Sequence, residues 1–175
     1  SRYEGFIERF IGDAVMAVFG IPHVHEDDAV RAVRAAREIH EAVDALNPDL
    51  RQKIGQPLAM HTGINTGIVV TAESDLNRGA HGTTGVSINV ASRLSTLAGP
   101  GEILVGRETR RQTEGFFSFQ ELSPAQFKGQ SAPERVFQLL CPKDRPVKLH
   151  RLSGLRSPLI GRRPELAQME QALDS

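Results

Sequence analysis

Disulfides, membrane spans and a dominant charge are all missing from this sequence. Cys141 is the single cysteine among 175 residues, so no internal disulfide can form, which fits a reducing compartment. Lys plus Arg and Asp plus Glu stand at 21 each. Without a global basic field the chain has no general attraction for nucleic acid or an anionic membrane. No run approaches the ~20 apolar residues of a membrane span, and the opening Ser-Arg-Tyr-Glu lacks a signal-peptide layout. Internal repeats, low-complexity tracts and a Gly-x-x-x-x-Gly-Lys-Ser/Thr phosphate loop are absent as well. What is there, 39% hydrophobic and 24% charged residues, predicts a soluble, cytoplasmic protein: one ordinary domain and a short extra segment.

Phe6, Ile7, Phe10 and Ile11 lead into Gly12-Asp13, a turn dipeptide. The apolar run 14–19 that follows completes a predicted hairpin and, bounded by glycines, is expected to be buried on both faces. Glu26, Asp27 and Asp28 then suit the positive end of a helix dipole. That helix carries Ala29, Val33, Ala36, Ile39, Val43 and Leu46 at core spacing, and Asn47-Pro48 is expected to stop it. Arg31, Arg34 and Arg37 read as a solvated face. A strand over 58–64, a turn at 65–67 and a strand or partner at 68–70 come next, then a polar loop over 72–86. Ser87 is the expected N-cap of a helix ending at Leu97, with Ile88, Ala91, Leu94 and Ala98 as its apolar side. Strands over 102–105, 116–122 and 135–140 complete an α/β sandwich, one mixed sheet with helices on it. Residues 141–156, with two prolines and five basic residues, read as a linker, and 164–173 return to a helical pattern.

Three features could carry chemistry. Asp13, held at a hairpin tip, suits a hard cation such as Mg²⁺, although Gly-Asp is also simply a good turn. Asn89, Ser92, Arg93 and Thr96 share one helix face, where an Asn and an Arg one turn apart can hold a ribose oxygen and a phosphate. Lys128, in Phe-Lys-Gly between two strands, gains weight only beside the others.

Phe-Ile-Gly-Asp-Ala-Val-Met-Ala-Val-Phe-Gly at 10–20, His-Glu-Asp-Asp-Ala at 25–29, Gly-Ile-Asn-Thr-Gly at 63–67 and Asn-Val-Ala-Ser-Arg-Leu at 89–94 occur in order, followed by Pro-Gly-Glu-Ile-Leu-Val at 100–105 and Phe-Lys-Gly at 127–129. Together these blocks closely resemble the class III adenylate/guanylate cyclase catalytic domain over roughly residues 3–140. The resemblance implies a ferredoxin-like α+β fold with a mixed, mainly antiparallel sheet. It also implies a reaction in which the ribose 3′-hydroxyl of ATP attacks the α-phosphorus, giving cyclic AMP and pyrophosphate, with two Mg²⁺ or Mn²⁺ ions held by two aspartates. On that pattern Asp13 is the second metal aspartate, Asn89 orients the ribose, Arg93 stabilises the charged transition state and Lys128 meets the terminal phosphates. The metal side and the Asn/Arg side come from opposite subunits of a homodimer or pseudo-dimer.

Departures from the pattern matter. The family's first metal aspartate lies on a strand well upstream, and neither Glu4 nor Glu8 matches it. The first strand is therefore expected to be missing, and residues 1–175 alone are expected to be inactive. The base-reading position four before Asp13, usually Lys, is Arg9. Its partner position falls at Gly82, with Thr83 or Thr84 able to serve if the loop shifts. Leu159 to Leu166 resembles the entry segment of signalling ATPase domains, so the expected organisation is a cyclase domain over 1–140, a basic linker over 141–156 and the start of an ATPase-type domain over 157–175. A degenerate cyclase-fold module that binds nucleotide or dimerises, regulating an attached ATPase, is the alternative. A diguanylate cyclase fits poorly, because its Gly-Gly-Asp/Glu-Glu-Phe hairpin is Ile-Gly-Asp-Ala-Val here.

Overall fold

In the computed structural model, residues 2–70, 84–126 and 133–146 are described. Strands β1 (Phe6–Ile11) and β2 (Ala14–Val18) form an antiparallel hairpin, with Ile11 opposite Ala14. Gly12 has φ 62° while Asp13 keeps a negative φ, the pattern of a type II′ turn with glycine at its first central position. The predicted hairpin is therefore present. Its predicted burial is not, because the hairpin is a sheet of its own, separate from the four-stranded one. Phe10 is 70% and Val15 57% exposed, and Ile7 and Ile11 are also open to solvent.

The second sheet has the order β3 (Thr62–Ile64), β4 (Ile103–Gly106), β6 (Val136–Pro142), β5 (Phe117–Glu121). β3 and β4 run parallel, and the other pairs are antiparallel. All four β4 residues are buried, so this strand, not β2, has the double-faced burial its apolar run requires. Ile103 and Val105 face helix α1 (Asp28–Ile54) with Ala36 and Phe137. Leu104, on the opposite face, packs with Val90 and Leu94 of helix α2 (Val86–Leu97), with Ala98 just past its end and with Val136 of β6. One helix thus covers each face.

Helix α1 differs from its predicted form in length and in face. It runs through Pro48 and stops at Gly55, whose φ of 77° and N–H bond to the Arg51 carbonyl make a left-handed cap. Proline removes one rung but leaves the later ones intact. Asn47 turns the chain back instead, donating from Nδ2 to the Leu58 carbonyl (2.9 Å) and accepting from the Leu58 amide (2.8 Å). Ile39 and Leu46 are exposed. The inward stripe continues through His40 and Asn47, polar residues whose hydrogen bonds let them lie there.

The strand predicted over 58–64 shortens to Thr62–Ile64, and α2 starts after Gly85 rather than being capped by Ser87. Val90 replaces Ile88 and Ala91 on its buried side. A third helix, α3 (Arg107–Thr113), escaped prediction because Arg-Glu-Thr-Arg-Arg-Gln-Thr has no apolar period; its inward residues are Thr109 and Thr113. β6 continues to Pro142, two residues into the predicted linker, and the Lys143 amide donates to the Phe116 carbonyl. The rest of the predicted linker beyond 146, and the ATPase-like segment, lie outside the described residues.

Ion pairs tie the start of the chain to α1 and the segment leading into it. Arg31 reaches Glu4 (2.6 Å) and Asp27 (2.8 Å), His25 reaches Glu4 (3.0 Å), Arg2 reaches Glu38 (2.9 Å), and the Tyr3 hydroxyl donates to Glu38 (2.6 Å). The arginine stripe is accordingly more than a solvated face: Arg31 is paired, Arg37 bonds Glu41, and Arg34 lies over the Phe116 ring.

His40 is 8% exposed and its Nε2 lies 2.8 Å from Thr62 Oγ1. Burial pushes its pKa below 6.5, aided by nearby His61, against the opposing pull of Asp44 and a bond with the Gly101 backbone. Because the folded value is depressed, the unfolded chain takes up the proton first. Stability is full above the ordinary value and falls as pH drops through it toward the folded value. Thermal melts between about pH 7.5 and 5 should show this decline, and His40→Gln, which can still bond Thr62, should flatten it.

Candidate active site

Asp13 occupies the exposed tip of the β1–β2 turn, where the II′ geometry holds its carboxylate outward. Mg²⁺ is commonly held by one or two carboxylates, with waters and phosphates completing its shell, so Asp13 fits as one such arm. Among the described residues no group of three His, Cys, Asp or Glu side chains gathers there or elsewhere, and two ions would need a further carboxylate. On the same hairpin Arg9 pairs with Met16 across the strands. Its guanidinium bonds the neighbouring Glu8, Nε to Oε2 at 2.5 Å and Nη2 to Oε1 at 2.7 Å. That hydrogen bond, with the carboxylate charge, raises the pKa of Arg9. Glu8 itself is 1% exposed. Sequence reading found no role for it; a lone glutamate in a strand carries no signal of burial.

Asn89 and Arg93 sit one turn apart on α2, Asn89 exposed and Arg93 half-buried, with exposed Ser92 and Thr96 beside them. Their placement depends on the Gly63–Gly67 block. Gly63 has no side chain where α2 crosses β3: a Cβ there would overlap the Ala91 carbonyl oxygen and the Ser95 amide nitrogen. Asn65 Nδ2 donates to the Ser87 carbonyl at 3.3 Å, and Gly67 leaves room for the Ser87 hydroxyl. Thr66 Oγ1 lies 2.9 Å from Thr109 Oγ1, linking the block to α3. The motif is a seat for α2. Gly67 was legible as a turn residue and Gly63 fell inside the predicted strand, whereas the close helix approach they permit was not legible.

Asp13 and Arg9 thus stand on the hairpin, while Asn89 and Arg93 stand on a helix packed against β3 and β4. The two pairs belong to different sheets. A cleft of about 410 Å³ opens between Ser87, Val90, Asn65, Arg107 and Arg111; none of the four candidate residues lines it. Thr84 is exposed and bridges Val70. Gly82, Thr83 and Lys128 lie outside the described residues.

A family model described as the adenylate and guanylate cyclase catalytic domain matches residues 7–140. A putative adenylate cyclase 3 of Rhizobium meliloti (strain 1021) is 25% identical over 167 residues, 94% of this chain and 26% of its own length. The crystal structure of the adenylyl cyclase CyaB from P. aeruginosa aligns with a TM-score of 0.72 at 29% identity, covering 83% of this chain and 76% of that one. For the guanylyl cyclase Cya2 the TM-score is 0.73 at 28% identity, with 82% and 73% covered. The chain spans only 17–26% of the length of the curated relatives it matches in Rhizobium meliloti.

Any side chain at position 63 must push α2 away from the sheet. Gly63→Ala is expected to cost about 3 kcal/mol, at the upper end of overpacking penalties, read as a lowered midpoint in denaturant melts. Gly12→Ala, where no atom is met but φ is positive, should cost only about 1 kcal/mol.

Proposed function

Since the chain belongs to the adenylate and guanylate cyclase catalytic domain family, we propose that it serves as an adenylate cyclase, forming 3′,5′-cyclic AMP and pyrophosphate from ATP in signal transduction. The observation that carries this reading is the separation of Asp13 and Arg9, on a solvent-facing hairpin, from Asn89 and Arg93 on α2. Two such half-sites suit a site completed across a dimer. Exposed Phe10, Ile11 and Val15 on the hairpin, with Val86 and Leu97 on α2, supply apolar surface for such a partner.

In the reaction the ribose 3′-oxygen bonds to the α-phosphorus, the bond to the bridging oxygen breaks, pyrophosphate leaves with that electron pair, and the hydroxyl proton passes to solvent. Divalent ions, when bound, supply Lewis-acid polarisation of the phosphoryl oxygens and ease loss of the hydroxyl proton. Asp13 offers a hard carboxylate oxygen to such an ion. Asn89 holds the ribose so that the 3′-oxygen points at phosphorus, and Arg93 spreads the charge growing on the phosphoryl oxygens. Lys128 meets the terminal phosphates. Arg9 reads the base: it offers only donors, which suit the N1 acceptor of adenine and clash with the donor edge of guanine. Gly82 adds no side-chain contact, leaving Thr83 as the neighbour able to add one. One net hydrogen bond then sets the preference for ATP over GTP at roughly tenfold in kcat/KM.

One observation favours a second reading, a cyclase-fold module that binds nucleotide and regulates an attached ATPase: Arg9 and Gly82 stand at the two base-reading positions in place of the usual Lys and its side-chain partner. Complementation separates the two. In the intact protein Asp13→Ala and Arg93→Ala should each abolish most activity, the first by weakening metal dependence and the second by lowering kcat. Mixed together they should regain part of it through one intact site per heterodimer. Absence of recovery in proven heterodimers excludes the shared site, and absence of cyclic AMP from the unmutated protein with Mg²⁺ or Mn²⁺ favours the regulatory module.

A further inference from the structure

Glu8 is the least expected residue of the hairpin. Its neighbours Ile7, Arg9 and Phe10 are open to solvent, yet Glu8 is 1% exposed. The register explains how. Ile7 pairs with Ala17 and Arg9 with Met16, so Glu8 is an extra residue with no partner on β2, a β-bulge. In a regular strand adjacent side chains point to opposite faces; a bulge re-aims them and lets Glu8 and Arg9 meet.

They meet as a fork, through Nε to Oε2 and Nη2 to Oε1. Two near-parallel bonds fix the plane of a guanidinium as well as its position. The Glu8 side chain is fully buried and that of Arg9 is 44% exposed, so the pair joins a buried anchor to a side chain that solvent still reaches. Removing the cation from a buried carboxylate is costly, which favours keeping Glu8 and Arg9 paired. An unanchored arginine would lose much rotamer freedom on meeting a ligand, whereas one already held loses little. The fork also balances the charge of Arg9, leaving it to discriminate by the geometry of its donors rather than by attraction to polyphosphate. A lysine, a single point donor, could not take this fork, so the carboxylate matches the arginine that stands here.

We propose that Glu8 is a positioning residue whose buried carboxylate sets the direction in which Arg9 meets the purine, and so governs nucleotide choice without touching the nucleotide. This rests on the reading of Arg9 as the base-reading side chain. The test is the ATP:GTP ratio of kcat/KM in the intact protein for wild type, Glu8→Gln, Arg9→Ala and the double variant. Both nucleotides are read on one preparation, so the ratio is insensitive to loss of folded protein. A variant too slow to assay is compared through its dissociation constants for ATP and GTP. The ratio should fall from about tenfold to about twofold in each single variant and no further in the double. A ratio that changes in Arg9→Ala but not in Glu8→Gln overturns the positioning role and leaves Arg9 as base reader. An unchanged ratio in Arg9→Ala removes the base-reading premise, and the proposal with it. A further fall on adding Glu8→Gln to Arg9→Ala means that Glu8 acts other than through Arg9, which also defeats the proposal.

Discussion

The distance at which α2 can approach the sheet decides where Asn89 and Arg93 stand. Gly63 removes the one side chain that would hold helix and strand apart, and Asn65 and Thr66 then bond to the first turn of α2 and to α3. Glycine inside a strand weakens that strand, and β3 is indeed only three residues long. The loss is offset because Leu94, fully buried, can pack on Leu104 and Val136. β4 passes the constraint on: Leu104 faces α2 while Ile103 and Val105 face α1, so both helices are referred to one strand.

The hairpin follows a different logic. It contributes little apolar packing to the four-stranded sheet and displays much of its hydrophobic surface. Isolated two-stranded hairpins are marginal in water, and here the II′ turn, the pairing of buried Glu8 with Arg9 and the contacts of residues 2–5 with α1 all act on it. Candidate chemistry sits on both bodies, and each is built to present rather than to enclose.

The parts of the fold that could be read in advance were those with a local cause. Gly12-Asp13 dictates a turn wherever it occurs between apolar runs, and Glu26, Asp27 and Asp28 mark a helix start whatever surrounds them. Burial was less legible, because it depends on which strand becomes central. The runs at 14–18 and 103–105 look alike, yet only the second lies between two helices. α3 could not be seen at all, since threonines bonded to Thr66 and to a helix carbonyl fill its inward side. At the candidate site, residue types and spacing singled out Asp13, Asn89 and Arg93 as candidates, and the family resemblance added Arg9. The support beneath them, Glu8 and the glycine seat, arises from a strand register and a backbone approach that no spacing rule encodes.

Two kinds of adhesion therefore operate in one small molecule. The sheet and its helices cohere through apolar burial, which dissolved electrolyte does not screen. The side-chain links between residues 2–5 and α1 with the segment leading into it, Arg31 to Glu4, Arg2 to Glu38 and His25 to Glu4, are largely ionic, and exposed charges are screened beyond ~8 Å at physiological ionic strength and beyond ~3 Å in molar salt. Concentrated electrolyte should thus weaken the longer-range attraction at the joint between hairpin and α1 more than it weakens the apolar core. Salt is therefore expected to bear on the arm that carries Asp13 before it bears on the seat of Asn89 and Arg93.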